Sequence, residues 1–393
     1  MKGIYLFTFL GILNCSCNSA NTKFFVKEKV FSFIKQDSSF TKSSFSEIYI
    51  KGKNEYISFL DNPNFNIHTY SLKTFKIVNS KYLKKDSAIN KSLRVLTVSE
   101  PNDTFTFSMK VSAFLRYSPD SLFILPQGGN DMYLLDSNMM VTNEWVIQTD
   151  GFTSPTIDIY AGQGDKFYFS NNSLYISGYG YAIPSVWHTS NPVINYDIKN
   201  REIISRFGTY PSTYKPDKWW FTVGSEVYKT MNDDKDILIS YPTSHEIQLY
   251  HNNKLIQKKE VVSSYLKNYK FPYFNDSKRD DLAYKIEYSN TLGRYTLVIY
   301  DSYRNVYYRI VQLPQQYENK NGSKNLDQDR EWSIQIIEKD LTLIGEQKFP
   351  KKMFNNADIL VCKDGLLISN NNILNPDNKP DAISYTLFKI NLK

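Results

Sequence analysis

The chain has 393 residues, a formal net charge of +7 at pH 7, and 15% aromatic residues drawn mainly from 30 tyrosines and 25 phenylalanines. That length exceeds what one simple core usually needs, and no long run of apolar residues at 3.6 spacing argues for a helical protein. The lysines are scattered among Asp and Asn rather than gathered in a basic stripe, so nucleic acid is not an expected partner.

Residues 1–16 read as a signal peptide. Lys2 supplies the positive start, and the apolar run 4–13 lies within the usual ~7–15 residues. It is too short to cross a bilayer, which takes about 20 residues. Asn14, Cys15, Ser16 and Cys17 follow at once. An apolar core ending in a small residue and Cys resembles the lipobox of bacterial lipoproteins, in which the Cys is lipidated and becomes the first residue after cleavage. The resemblance implies a lipid anchor at Cys17, behind the small Ser16. Cys15 is the alternative, with Leu13 and Ile12 in suitable earlier positions. Residues 17–23 are then a lipidated tether and 24–393 a single domain. Of the three cysteines only Cys362 remains, at the end of an apolar strand, so no disulfide framework is expected and a buried, inert thiol is.

A strand–turn–strand unit then recurs along the chain, at 66–78, 132–147, 193–207, 246–261 and 332–349. Each has a Tyr- or Ile-rich arm, a polar turn and a second β-branched arm. The turns fall near Lys73, Asn138, Lys199, Asn252 and Lys339, and Asn252-Asn253 suits a tight hairpin. Earlier strand pairs, such as 47–51 with 55–60 and 358–362 with 366–369, would complete four-stranded sheets. Regular return of such sheets predicts an all-β, six-bladed propeller, with loop insertions stretching the usual ~40–50 residue repeat. The last strand, 384–392, lacks a partner arm, and 24–33 is expected to supply it, closing the ring with both termini. One short helix is expected within 261–270.

The connections at 79–110, 148–165, 177–192, 208–234, 267–281, 314–330 and 370–381 are expected on the face opposite the short turns. Long loops on a rigid scaffold are where binding residues concentrate. The candidates are Tyr179, Tyr181, Trp187 and His188 in one loop, and Asp217, Lys218, Trp219 and Trp220 in another. Aromatic rings beside Lys and Asp suit stacking on sugars or anchoring a protein partner. The competing reading packs these rings beneath their own loops or into the central channel.

Catalytic signatures are sparse. His68, His188, His245 and His251 show no metal-ligand spacing, no GxSxG occurs, and Gly162-Gln163-Gly164 does not open a helix. The acidic stretch 232–236 lacks the spacing of a calcium loop and reads as a polar turn. No catalytic residue, metal or cofactor is expected. Asp150, Asp158, Asp217 and Asp276 are the carboxylates that a glycan-cleaving alternative would draw on, if two of them lie ~5–10 Å apart.

The segments 305–314 (NVYYRIVQLP), 343–350 (LIGEQKFP) and 365–369 (GLLIS) resemble an uncharacterised Bacteroidota lipoprotein family, a domain of unknown function related to six-bladed, TolB-like propellers. The resemblance implies a Gram-negative envelope lipoprotein and carries no catalytic residues. The tether NSANTK lacks the acidic cluster associated with surface export in that phylum, which favours the periplasmic side of the outer membrane. The expectation is a non-enzymatic propeller that binds a protein or glycan, held to the membrane by its lipid. Replacing the anchor, Cys17→Ala, should move the protein from the membrane to the soluble fraction. Continued lipid labelling of the variant would assign the anchor to Cys15.

Overall fold

The computed structural model describes residues 23–35, 43–61, 66–82, 95–100, 103–108, 111–118, 120–126, 131–147, 157–160, 164–180, 191–215, 220, 222–379 and 381–392. Six antiparallel sheets follow one another as the blades of a propeller. Strand β1 (Phe25–Ile34) stands apart from its sequence neighbours. Blade one is β2 (Ser43–Lys51), β3 (Asn54–Asp61), β4 (Asn66–Ser71) and β5 (Ile77–Tyr82). A separate hairpin follows, β6 (Val95–Glu100) and β7 (Asp103–Ser108). Blade two is β8 (Val111–Ser118), β9 (Ser121–Pro126), β10 (Asp131–Leu135) and β11 (Val141–Val146). In blade three, β12 (Ile157–Tyr160) and β13 (Tyr168–Ser170) both pair with β14 (Ser173–Gly180), which leads to β15 (Val193–Asp197) and β16 (Glu202–Phe207).

The short helix α1 (Thr222–Ser225) precedes blade four: β17 (Tyr228–Met231), β18 (Ile237–Ser240), β19 (Glu246–His251) and β20 (Lys254–Glu260). Helix α2 (Leu282–Thr291) precedes blade five: β21 (Arg294–Asp301), β22 (Val306–Gln312), β23 (Trp332–Glu338) and β24 (Leu343–Phe349). Blade six is β25 (Ile359–Cys362), β26 (Gly365–Ser369) and β27 (Ala382–Ile390), completed by β1. The first strands touch from sheet to sheet: β2 meets β8 and β25, and β21 meets β17 and β25. They therefore line the axis, and the fourth strands form the rim.

Burial follows that placement. Every residue of β4 and β22, in mid-blade, is buried, whereas β20 at the rim is mostly exposed. A middle strand is sandwiched between neighbouring blades, so both of its faces are buried, polar residues such as His68 and Arg309 included. Trp332, Ile334 and Ile336 of β23 pack towards blade six, with Ile359 and Phe388. Ile337 packs the other way, with Leu249 and Val261 of blade four.

All five anticipated outer hairpins form. Asn252 and Asn253 take φ of 48° and 64°, the left-handed region that Asn tolerates. Phe75, Met139, Arg201 and Leu341 occupy the same region at φ 58–64° in the other four turns. In each hairpin the pairing register shifts near the turn, a bulge that fits a left-handed residue into the ladder. Gly365, which opens β26, is required where it stands: a Cβ there would lie 2.0 Å from the Phe388 carbonyl oxygen.

The ring closes as expected. Strand β1 pairs with β27 from Phe25 opposite Ile390 to Ile34 opposite Ala382. Two main-chain bonds extend this ladder, from Asn391 N to Phe24 O (2.8 Å) and from Lys35 N to Asp381 O (3.0 Å). The Gln347 side chain of blade five grips the Phe25 backbone from both sides, accepting at 2.9 Å and donating at 3.1 Å. Phe33 is fully buried against Phe59, Tyr70 and Tyr385, at ring distances of 5.5, 5.4 and 6.4 Å.

Some expectations fail. The segment 261–270 forms turns rather than a helix, and the ten-residue helix is α2, further on. Three segments expected to be loops contain strands: β6–β7 within 79–110, β12 within 148–165 and β17 within 208–234. Truncation at the seam should be costly. Phe33→Ala is expected to lower stability by about 3–5 kcal/mol, whereas Val30→Ala, on the exposed side of the same strand, should change it by no more than about 0.5 kcal/mol. Chemical denaturation of both variants checks this, and equal losses would contradict closure by packing.

Candidate functional site

Two places gather functional side chains: the axis and the loop face. At the axis, the first strand of blade three is interrupted. Tyr160 of β12 pairs with Ser177, and Tyr168 of β13 pairs with Tyr175. Only Ile176 lies between those partners, and the described residues 164–167 between the two strands are not paired in the sheet. Those residues are Gly164, Asp165, Lys166 and Phe167.

Asp165 is fully buried, and its Oδ1 accepts from Lys229 Nζ of β17 at 2.7 Å. Lys229 Nζ also donates to Ser177 Oγ at 2.8 Å. Lys166 reaches the other way, with Nζ 5.6 Å from the ring centroid of Phe45 on β2. Glu47 of β2 and Asp358, just before β25, are the carboxylates acting on it. Glu47 pairs with Arg116 Nε of β8 at 3.3 Å, and the Arg116 guanidinium lies 3.8 Å from the Tyr49 ring centroid. Asp358 accepts from Ser46 Oγ at 2.7 Å and from the Tyr385 hydroxyl at 2.6 Å.

Burial dominates the electrostatics. It raises the Glu47 carboxyl to about 7 against the opposing charges of Arg116 and Lys166. It raises Glu226, just before β17, to about 7 as well, against Arg294. Burial also raises Asp358 and lowers Lys166. Carboxyls held near neutrality can exchange protons at physiological pH.

The loop face is built on aromatic pillars. Trp220 is 1% exposed and packs against Tyr214 (5.2 Å) and Tyr273 (4.9 Å). The hydroxyls of Tyr210 and Tyr214 hold α1 by donating to Ser225 O (2.9 Å) and Gly224 O (2.8 Å). Next to these pillars stands α2. The Asp281 side chain caps its start by accepting from Tyr284 N at 3.0 Å.

Side chains from blade five satisfy the far end of α2. Arg330 donates to Leu292 O (2.6 Å), Asn290 O (2.8 Å) and Ser289 O (3.1 Å), and Arg294 donates to Ser289 O (3.0 Å). Helix-end carbonyls without partners are costly, and cations there also complement the helix dipole. Between α2 and the 314–330 connection lies an open cleft of about 610 Å³. Tyr284 and Glu287 line one wall; Gln316, Tyr317 and Glu318 line the other.

The expected site residues fare unevenly. Tyr181, Trp187, His188, Asp217, Lys218 and Trp219 lie outside the described residues, as does Cys17. Tyr179 is described only through its backbone in β14. Trp220 supports the loop face from beneath and does not offer its ring to solvent. Asp276 is exposed in the turn before α2, and Asp150 is outside the described residues. Cys362 is buried and its thiol is pushed up to about 12, matching the inert thiol expected. His68 meets Ser80, His245 meets Tyr295 and His251 meets Asp236, at 2.9, 2.7 and 2.6 Å. The stretch 232–236 is the expected polar turn, closed by Asp236 N donating to Asn232 Oδ1 at 2.8 Å. The axial charges and the α2 cleft were not anticipated.

No protein-family model matches the chain, and no curated protein matches it in sequence. Among solved structures, a member of the DUF4221 family from Bacteroides vulgatus is similar over 93% of this chain and 98% of its own, with a TM-score of 0.77 and 20% identity. A Bacteroides fragilis protein, provisionally named as exported, is similar over 94% of this chain and 96% of its own, with a TM-score of 0.50 and 12% identity. These likenesses share the fold, and the first agrees with the Bacteroidota resemblance read from the C-terminal segments.

The axial carboxyls make stability depend on pH. Folding raises Glu47 from 4.5 to about 7. Its proton therefore favours the native state below the unfolded value, and this contribution is lost as pH rises through about 7. The stability of the wild type relative to Glu47→Gln should fall by about 3 kcal/mol between pH 4 and 8. A flat difference across that range would contradict a buried, protonated Glu47.

Proposed function

We propose that this chain is a lipid-tethered envelope protein that holds a glycan in the cleft between α2 and the 314–330 connection, without cleaving it. The cleft carries the reading. At about 610 Å³ it lies within the roughly 300–1,000 Å³ of small-ligand sites. Tyr284 and Tyr317 supply ring faces, and Asp281, Glu287 and Gln316 supply polar groups for sugar hydroxyls. Lys278 and Lys324 lie 4.6 and 5.2 Å from the two ring centroids and can swing aside as flexible stems. Both walls are braced by buried or hydrogen-bonded side chains, so binding orders little.

The tether rests on the sequence of residues 1–23. In keeping with it, the Bacteroides fragilis protein of the same fold is named as exported. Among the described residues no helix is long and apolar enough to cross a membrane.

A glycan-cleaving reading draws on the same walls, because Asp281, Glu287 and Glu318 all line the cleft. Binding to a panel of envelope and host oligosaccharides, read together with release of reducing ends, separates the two. Tyr284→Ala and Tyr317→Ala should each weaken binding by about tenfold, in line with ~1–1.5 kcal/mol for a stacked ring, at unchanged melting temperature. New reducing ends would establish cleavage. Affinity unaffected by either substitution would remove the cleft from the reading.

A further inference from the structure

The seam of the ring brings lysines from four separate segments to one corner of the short-turn face. Phe31 of β1 packs on Phe75 of the β4–β5 turn, with ring centroids 4.6 Å apart. Lys29 Nζ lies 4.8 Å from the Phe31 centroid, next to the turn that carries Lys73 and Lys76. That turn is held in shape: Lys73 N and Thr74 N donate to Ser71 Oγ at 3.2 and 3.3 Å, and Phe75 N donates to Ser71 O at 2.8 Å. Lys27 lies on the same exposed run of β1 as Lys29. Nearer the axis, Glu55 Oε1 accepts from Lys363 N at 2.9 Å and from the Tyr303 hydroxyl at 2.6 Å. Its carboxylate ties the β25–β26 turn of blade six to the β2–β3 turn of blade one. Lys363 and Lys53 therefore share this corner.

Lys27, Lys29, Lys53, Lys73, Lys76 and Lys363 are exposed and make no ion pair among the described residues. The acids nearby are mostly committed. Glu28 pairs with Lys389 at 2.9 Å, Glu55 is held as above, and Asp364 is the remaining exposed carboxylate. The far side of the same face differs. There Lys339 pairs with Asp234 at 2.7 Å and His251 with Asp236 at 2.6 Å. Those charges meet opposite charges within the protein; the six lysines do not.

We propose that this corner is a docking surface for the anionic headgroups of the bilayer to which the chain is tethered. For its occupant the inference rests on the tether of the proposed function. Chain position favours a membrane over other polyanions. β1 enters the disc at this corner, where Phe25 opposes Ile390 and Phe24 O accepts from Asn391 N. The seven residues from Cys17 to Lys23 span at most about 25 Å even when fully extended. A lipid on Cys17 thus confines the corner to within a few Debye lengths of the surface, each about 8 Å at physiological salt. A lysine close to an anionic leaflet adds roughly fivefold to binding. Acyl chains already hold the protein, so the lysines fix which edge of the ring meets the headgroups.

Amine labelling of the mature lipoprotein reconstituted into vesicles tests the proposal. One set of vesicles is phosphatidylcholine; the other is phosphatidylcholine mixed with phosphatidylglycerol. Lys29, Lys53, Lys73 and Lys76 should acetylate at least about fivefold more slowly on the anionic vesicles, and high salt should restore their rates. Lys278 and Lys324, at the α2 cleft, should react alike on both. The combined substitutions Lys29→Glu, Lys73→Glu and Lys76→Glu, all at exposed positions, should keep the melting temperature and remove the protection of Lys53. Equal labelling on the two kinds of vesicle would overturn the proposal. So would protection by heparin, at matched charge, where anionic vesicles give none; the corner would then belong to an acidic polymer. Flotation with the neutral vesicles reads the anchor separately. A chain that does not float carries no lipid, and labelling on anionic vesicles against labelling in free solution then decides the corner by itself. None of these readouts depends on glycan binding.

Discussion

The ladder between β1 and β27 is the constraint on which the rest of the structure depends. Each blade keeps one edge strand at the rim, and without a fourth strand β27 would present the unpaired main-chain groups of a mid-blade strand. Strand β1 covers that edge and also works sideways. Phe25 packs with Tyr308 and Phe349 of blade five, while Phe31 and Phe33 join the core shared with blade one. One strand thus fixes the spacing of three blades. The axial first strands hold their positions because the circle has a set circumference.

Much of this was legible in the sequence. The five outer hairpins could be read because each pairs alternating apolar arms around a polar turn, and alternation survives burial on one side. The strands at the axis were harder. β12 and β17 have four residues each, too few for alternation to show. In β17 the charged Lys229 interrupts the pattern. Helix α2 was missed because only Tyr288 of its ten residues is buried, which leaves no apolar stripe to detect. Arginines from blade five hold its end, and local sequence does not show them.

The axial site was illegible for a different reason. Glu47 and Arg116, Ser46 and Asp358, and Asp165 and Lys229 are far apart in the chain and meet only once neighbouring blades pack together. A signal did exist: Glu47 stands between Phe45 and Tyr49 on the same side of its strand, where an exposed edge would not place two rings. Trp220 shows the opposite error. Its neighbourhood of Tyr, Lys and Asp looks like a binding loop, but the indole is the foundation on which α1 rests. Aromatic content alone does not separate a surface that grips from a pillar that supports.

Strand direction carries one more consequence. β27 runs from Ala382 beside the long connections to Ile390 beside the short turns, and β1 runs antiparallel to it. Whatever precedes Phe25 therefore joins the disc on its short-turn side. The α2 cleft opens on the reverse side. A leash fastened at that end would leave the face that carries the α2 cleft turned away from the point of attachment.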